Sequence, residues 1–177
     1  MRLCRMAIFV AVALAAAWAP SALAQAGAGE NKDVTLARTA LPNDLGIELL
    51  GRSIIYSFSY QRTLTPLIGL EVSVSGLGSG ATSGGASETV LFGGAGGRLY
   101  FMHKDASPFV TAGAVMISAT TDAGPFGSDH STANYGYTGL GFEFRSRAGL
   151  LFRGTAYGLF ANNAYFIWPG LTVGYAF

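Results

Sequence analysis

Two neighbouring stretches of this chain alternate, residue by residue, between large apolar and small polar side chains. That period constrains the fold more than any other feature. From Arg52 to Arg62 the even positions Ile54, Tyr56, Phe58 and Tyr60 are apolar or aromatic, and the odd positions include Ser53, Ser57, Ser59 and Gln61. From Leu67 to Leu77, Ile68, Leu70, Val72 and Val74 share one face, with Gly69, Glu71, Ser73 and Ser75 on the other. A period of two puts alternate side chains on opposite faces of a β-strand. Between the runs, Thr63-Leu64-Thr65-Pro66 reads as a turn, because proline cannot donate to a ladder. The pair predicts a hairpin with one apolar face and one small, polar face. The end of the chain repeats the pattern, Leu171, Val173, Tyr175 and Phe177 alternating with Gly170, Thr172, Gly174 and Ala176.

Composition decides what the apolar face meets. Arg2 and Arg5, the apolar run Met6–Ala19 and the small-x-small site Ala22-Leu23-Ala24 predict a cleaved signal peptide over 1–24. The apolar run is shorter than the ~20 residues of a spanning helix. Cys4 precedes it, so it is not placed for acylation at the cleavage point, and the exported chain has no cysteine. That excludes a disulfide scaffold, a thiolate metal site and a cysteine nucleophile. Losing Arg2 and Arg5 leaves 9 of the 11 basic residues against 10 acidic ones, which excludes a polybasic nucleic-acid binder. Half of the residues are apolar and only 12% are charged, yet no stretch after the signal resembles a transmembrane helix. In a bilayer the backbone finds partners only in helices or closed barrels, so the barrel is the membrane solution left.

The remaining strands are less regular. Glu88–Met102 carries Gly93-Gly94-Ala95-Gly96-Gly97, suited to a wall that bends or makes room for large neighbours. Phe109–Thr120 is apolar on both faces, so its facing is open. Asn134–Arg145 puts Leu140, Phe142 and Phe144 opposite Tyr135, Tyr137, Gly139, Gly141 and Glu143, and Leu150–Phe160 follows. Turns at 63–66, 103–108 and 146–149 are short, whereas 78–87 and 121–133 are longer and rich in Gly, Ser and Asp; membrane barrels alternate in this way. A first strand at Leu45–Leu50 makes the count eight. The expectation is an all-β, antiparallel, eight-stranded transmembrane up-and-down β-barrel over 45–177, with 25–44 a loose periplasmic lead ending in the breaker Pro42-Asn43-Asp44.

With apolar faces outward, Glu48, Glu71, Arg98, Glu143 and Arg153 point inward, and the hairpin register about Ala148 sets Glu143 opposite Arg153. Either these charges form a paired network filling a narrow barrel, or they line an ion or proton path. The first reading is preferred, since an eight-stranded barrel is about wide enough to be filled by side chains. Tyr56, Tyr60, Phe101, Phe166, Trp168 and Tyr175 read as interfacial aromatic girdles. His103 falls in the turn His103-Lys104-Asp105. His130 falls in the long loop, within Ser128-Asp129-His130-Ser131, and invites an acyl-transfer reading. Adjacency on a loop does not make a triad, however, so no catalytic residue is assigned. Neither a metal site nor a cofactor site is expected, because no His/Asp/Glu cluster has ligand spacing and no helix follows the glycines of 93–97.

The stretches Gly46–Arg52, Ser53–Arg62 and Gly170–Phe177 resemble a group of uncharacterised outer-membrane β-barrel proteins, similar in size and strand count to small barrels of the OmpA/OmpX type. Tyr175 and the terminal Phe177 resemble the C-terminal signal read by the barrel-insertion machinery. The resemblance implies a fold and a Gram-negative outer-membrane location, and carries no catalytic residues. It leaves three functions open: a non-enzymatic structural or surface-interaction barrel, a narrow pore or passive transporter, and a lipid A-modifying enzyme using the loop histidine. The expected partners are outer-membrane lipid and the insertion machinery, the expected state a monomer.

Overall fold

The computed structural model describes residues 36–79, 87–122, 127–161 and 164–177. The expected signal peptide 1–24 and the stretch 25–35 lie outside the described residues. After a one-turn helix, α1 (Ala37–Ala40), eight strands follow: β1 Asn43–Leu50, β2 Tyr56–Thr65, β3 Ile68–Ser79, β4 Ser87–Tyr100, β5 Ala106–Asp122, β6 Ser128–Arg145, β7 Leu150–Ala161 and β8 Ala164–Ala176. They form one closed antiparallel barrel in chain order. The closing seam runs from Asp44 opposite Ala176 to Leu50 opposite Gly170. Phe177 extends it, exchanging backbone hydrogen bonds of 2.8 and 3.1 Å with Asn43. Closure leaves no open edge along the shared wall.

The alternation in sequence is the alternation of the wall. Ile47, Phe58, Leu70, Val74, Leu140, Phe142, Phe144, Leu171, Val173 and Tyr175 are all exposed. The exposed apolar residues form a belt around the closed barrel rather than one patch, the surface of a barrel whose surroundings are lipid. No helix among the described residues is long and apolar enough to cross a membrane. The strand with open facing is settled: Phe109, Thr111 and Val115 point inward, and Ala112, Ala114 and Met116 outward. Interior glycines make room for large rings. A Cβ on Gly113 would lie 2.6 Å from the Tyr137 hydroxyl and 2.3 Å from the Ala95 carbonyl oxygen.

Several expected boundaries move. The chain does not enter β2 at Arg52: Gly51–Ser53 forms a 3-10 turn that buries Arg52 and Ser53. Leu50 and Ile54 take φ of 60° and 73° around it, a conformation that costs an L-residue energy. The turn expected at 63–66 narrows to Pro66-Leu67, with the Thr65 hydroxyl accepting the Leu67 and Ile68 N–H groups. The loop expected over 121–133 is largely strand, since β5 runs to Asp122 and β6 starts at Ser128. There both faces are exposed, so no apolar period marks pairing that the backbone makes regardless. The described part of the expected loose lead, 36–44, is ordered: β1 begins at Asn43, and Ala37 and Arg38 are fully buried.

The barrel has two different ends. One carries α1, the chain terminus and the short connections 66–67, 101–105 and 146–149. From the other, β3 to β6 project beyond their neighbours. β5 and β6 pair out to Asp122 opposite Ser128, whereas the β7 ladder on β6 begins only at Gly136 opposite Phe160.

Candidate functional site

The interior is the most chemically dense part of the molecule. Glu71 on β3 accepts from Arg98 Nη2 on β4 at 2.9 Å, and from Arg52 Nη1. Arg52 also donates through Nε to Glu48 at 3.1 Å, and Glu48 accepts from the Tyr157 hydroxyl at 2.6 Å. Lower in the barrel, register pairs Glu143 with Arg153, and Arg153 Nε donates to Glu143 at 2.6 Å. The same carboxylate accepts the Tyr100 hydroxyl at 2.6 Å and lies 3.3, 3.5 and 3.7 Å from nitrogens of Arg145, Arg38 and Arg98. Asp44 pairs with Arg153 at 2.8 Å and with Arg145 at 2.5 Å. Gln61 links the two halves, accepting from Arg98 and donating to Tyr100. Rings flank the guanidinium groups, Arg38 lying 3.7 Å from the Tyr100 centroid and Arg98 4.5 Å from that of Phe109.

Glu48, Glu71, Arg98, Glu143 and Arg153 thus lie buried in one connected network. Four members escaped sequence reasoning: Arg38, Asp44, Arg52 and Arg145. Two carried a signal, because Asp44 and Arg145 share the parity of Glu48 and Glu143 on their own strands. Arg52 sits on a turn that breaks the alternation, and Arg38 precedes the first strand.

Two non-wall segments reach into the barrel interior. At the terminal end, Arg38 donates to the carbonyls of Pro66 at 3.0 Å and Lys104 at 3.2 Å, and Asp105 accepts the Ala37 N–H at 2.7 Å. Arg145 holds the Leu41 carbonyl at 2.8 Å. One short segment is therefore tied to two connections and to β6. Towards the projecting end, the Gly51–Ser53 turn carries Arg52 inward beneath an apolar cluster of Phe92, Val115, Tyr137, Tyr157 and Leu159. A recess of about 820 Å³ lies on the lipid-facing wall, bordered by Leu99, Ala112, Thr138, Leu140 and Ile167.

The histidines stay apart from this network. His103 is exposed in the β4–β5 connection. His130 lies on β6 rather than in a loop, opposite Thr120, whose hydroxyl is 3.1 Å from its Nδ1. Asp129 accepts the backbone N–H of His130, whereas a triad carboxylate would orient the imidazole itself. Among the described residues no group of His, Cys, Asp and Glu could hold a metal ion.

No family model matches the chain, and no curated protein matches it in sequence. Solved structures match in fold. The N-terminal β-barrel domain of Pseudomonas aeruginosa OprF superposes with a TM-score of 0.51 at 16% identity, covering 76% of this chain and 95% of that one. The attachment invasion locus protein Ail of Yersinia pestis, in complex with the heparin analogue sucrose octasulfate, gives a TM-score of 0.51 at 13% identity, covering 76% and 94%. At these identities the likeness is one of fold: this chain has the architecture of small eight-stranded outer-membrane barrels.

Proposed function

We propose that the protein is a non-enzymatic, monomeric outer-membrane barrel of Gram-negative bacteria, closed to solutes, whose working surface is the projecting β3–β6 sheet. The observation that carries this reading is the filled lumen. Buried ion pairs run from Asp44 to Arg52, and Arg38 and Arg52 enter from outside the wall at either end. What remains for polar contact is the projecting rim. Ser128–Asn134 are all exposed there, and β6 is paired on its β5 side alone until Gly136, an edge that can accept an extended partner. In this reading the terminal end faces the periplasm, and the exposed Tyr175 and Phe177 serve as the insertion signal on the closing strand.

The rim also limits what it can bind. Among the described residues of this rim, 76–79, 87–91, 115–122, 127–137 and 164–168 contain no Lys or Arg, and Glu88, Asp122 and Asp129 stand among them. A polysulfated sugar such as the one held in the Ail structure needs cationic partners, so this rim fits neutral or cationic surfaces instead. The test combines heat-modifiable gel migration of the outer-membrane fraction with single-channel recording in planar bilayers. A folded, SDS-resistant barrel with a closed trace is expected. Sustained unitary conductance would replace this reading with a pore, and recovery in the soluble periplasm without detergent would remove the membrane assignment.

A further inference from the structure

The interior network is not neutral. Among the described residues the fully or nearly fully buried charged side chains are Arg38, Arg52, Arg98, Arg145 and Arg153 against Asp44, Glu48, Glu71 and Glu143, one positive charge in excess. Arginine does not lose its proton in proteins, and an uncompensated charge away from water is costly enough that it acquires a counter-charge. The excess is local. Towards the projecting end, Arg52 meets two carboxylates, Glu48 and Glu71. Towards the terminal end, Arg38, Arg98, Arg145 and Arg153 gather around Glu143; Asp44 adds a second carboxylate, shared by Arg145 and Arg153, and Glu71 is shared between Arg52 and this group, 2.9 Å from Arg98 and 3.7 Å from Arg153. Phenolate does not supply the balance: the Tyr100 and Tyr157 hydroxyls donate to carboxylates, and Tyr137 lies beside Arg52, which Glu48 and Glu71 already answer. Asp105, half-buried on the rim, accepts the Ala37 N–H, and Lys104 and Arg147 share its end of the barrel.

A second, independent observation marks the same place. Arg98 Nε, Arg145 Nε and Arg153 Nη1 are buried donors that make no hydrogen bond; Arg145 Nε faces Glu143 at 3.3 Å and Arg153 Nη1 faces Glu71 at 3.7 Å, and Asp44 Oδ1 is an unmet acceptor of the same cluster. All three belong to guanidinium groups within 4 Å of the Glu143 carboxylate, at 3.7, 3.3 and 2.6 Å. Unmet N–H donors in a region of surplus positive charge are the recognition chemistry of an anion.

We infer that the terminal half of the lumen binds one small monovalent inorganic anion of the chloride class, held by the guanidinium groups of Arg98, Arg145 and Arg153. The anion is a structural ligand of the closed barrel, and the site does not depend on which partner the rim meets. Bound only by the folded state, it raises the temperature at which the barrel loses SDS resistance.

The test uses the full exported chain folded in detergent, with sodium chloride, bromide or gluconate at equal ionic strength. The unfolding midpoint in chloride and bromide is expected to exceed that in gluconate by on the order of 5 °C and to saturate with anion concentration. Arg38→Gln, which removes the excess charge without touching the three donors, abolishes that difference. Should Arg38→Gln fail to fold, bromide-soaked crystals of the unaltered protein decide, with an anomalous peak expected among the three guanidinium groups. Equal midpoints in the three salts, a difference that persists in Arg38→Gln, or no bromide peak in the lumen would each overturn the assignment. A paired Glu30→Gln and Asp33→Asn variant separates the free anion from a carboxylate of the chain's own N-terminal segment. An unchanged chloride response supports the free anion, and a response that arises only in this variant assigns the role to the chain itself.

Discussion

The costliest interior side chain to remove is Glu143, where one carboxylate answers four guanidinium groups and a tyrosine hydroxyl. Truncating one member of a buried charge cluster leaves the others unpaired, a loss of about 3–5 kcal/mol. Glu143→Ala is therefore expected to lower the urea midpoint of the refolded barrel sharply, whereas a surface change such as Glu88→Gln stays within about 0.5 kcal/mol. Shape matters as much as charge. Gly113→Ala sets its methyl group 2.3 Å from the Ala95 carbonyl oxygen, backbone that cannot give way, and is expected to cost about 1–3 kcal/mol. Gly93→Ala, on the same sheet but meeting nothing within 4 Å, is the matched control and leaves the midpoint in place. Which residues point inward was legible wherever strands alternate, because side-chain parity is a local property. Glu143 opposite Arg153 followed from parity and one short turn. The pairing of Arg38 with Glu143 and of Arg52 with Glu48 and Glu71 did not, because it depends on segments that are not strands and on closure of the whole barrel.

At the scale of elements, hydrophobic period reports lipid contact rather than strand length. β5 and β6 span Ala106–Asp122 and Ser128–Arg145, but their apolar period fades where the ribbon leaves the belt. Sequence therefore reads Ser128-Asp129-His130-Ser131 as loop although it is strand. The same reasoning separates the ribbon from the barrel energetically. β7 pairs with β6 only from Gly136, so the described residues 118–122 and 128–132 take no part in the β6–β7 ladder that closes the barrel. Replacing the stretch 118–132 with an Asn-Gly turn is expected to leave SDS resistance and heat-modifiable migration intact while removing binding by the rim. Loss of the folded band would show instead that the ribbon is part of the barrel's stability. The segment at the other end behaves oppositely. Arg38 ties α1 to the Pro66 and Lys104 carbonyls, and this order was invisible in sequence because a single turn of helix has no period to read. Arg38→Met is expected to increase proteolysis and hydrogen exchange at 36–42 specifically, since the wall's own ladders do not run through it.

For the whole molecule, the described charges left outside the interior divide unevenly between the two ends. Arg62, Lys104 and Arg147, with Asp105, lie towards the end that carries the chain terminus, whereas Glu88, Asp122 and Asp129 lie at the projecting end. A barrel inserted with its short connections inward puts the basic group in the periplasm and the acidic, extended ribbon outside the cell. Phe177, paired to Asn43 at the seam, then lies on the periplasmic side. This orientation is testable one residue at a time, because Cys4 is the single cysteine of the sequence. In a Cys4→Ser background, His130→Cys and Lys104→Cys occupy exposed positions at opposite ends of the barrel, and neither side chain takes part in the interior network. A membrane-impermeant maleimide is expected to label His130→Cys in intact cells and Lys104→Cys only after the outer membrane is permeabilised. Labelling with the reverse pattern would invert the barrel, turning the β3–β6 sheet towards the periplasm and moving any partner of the rim to the inside of the envelope.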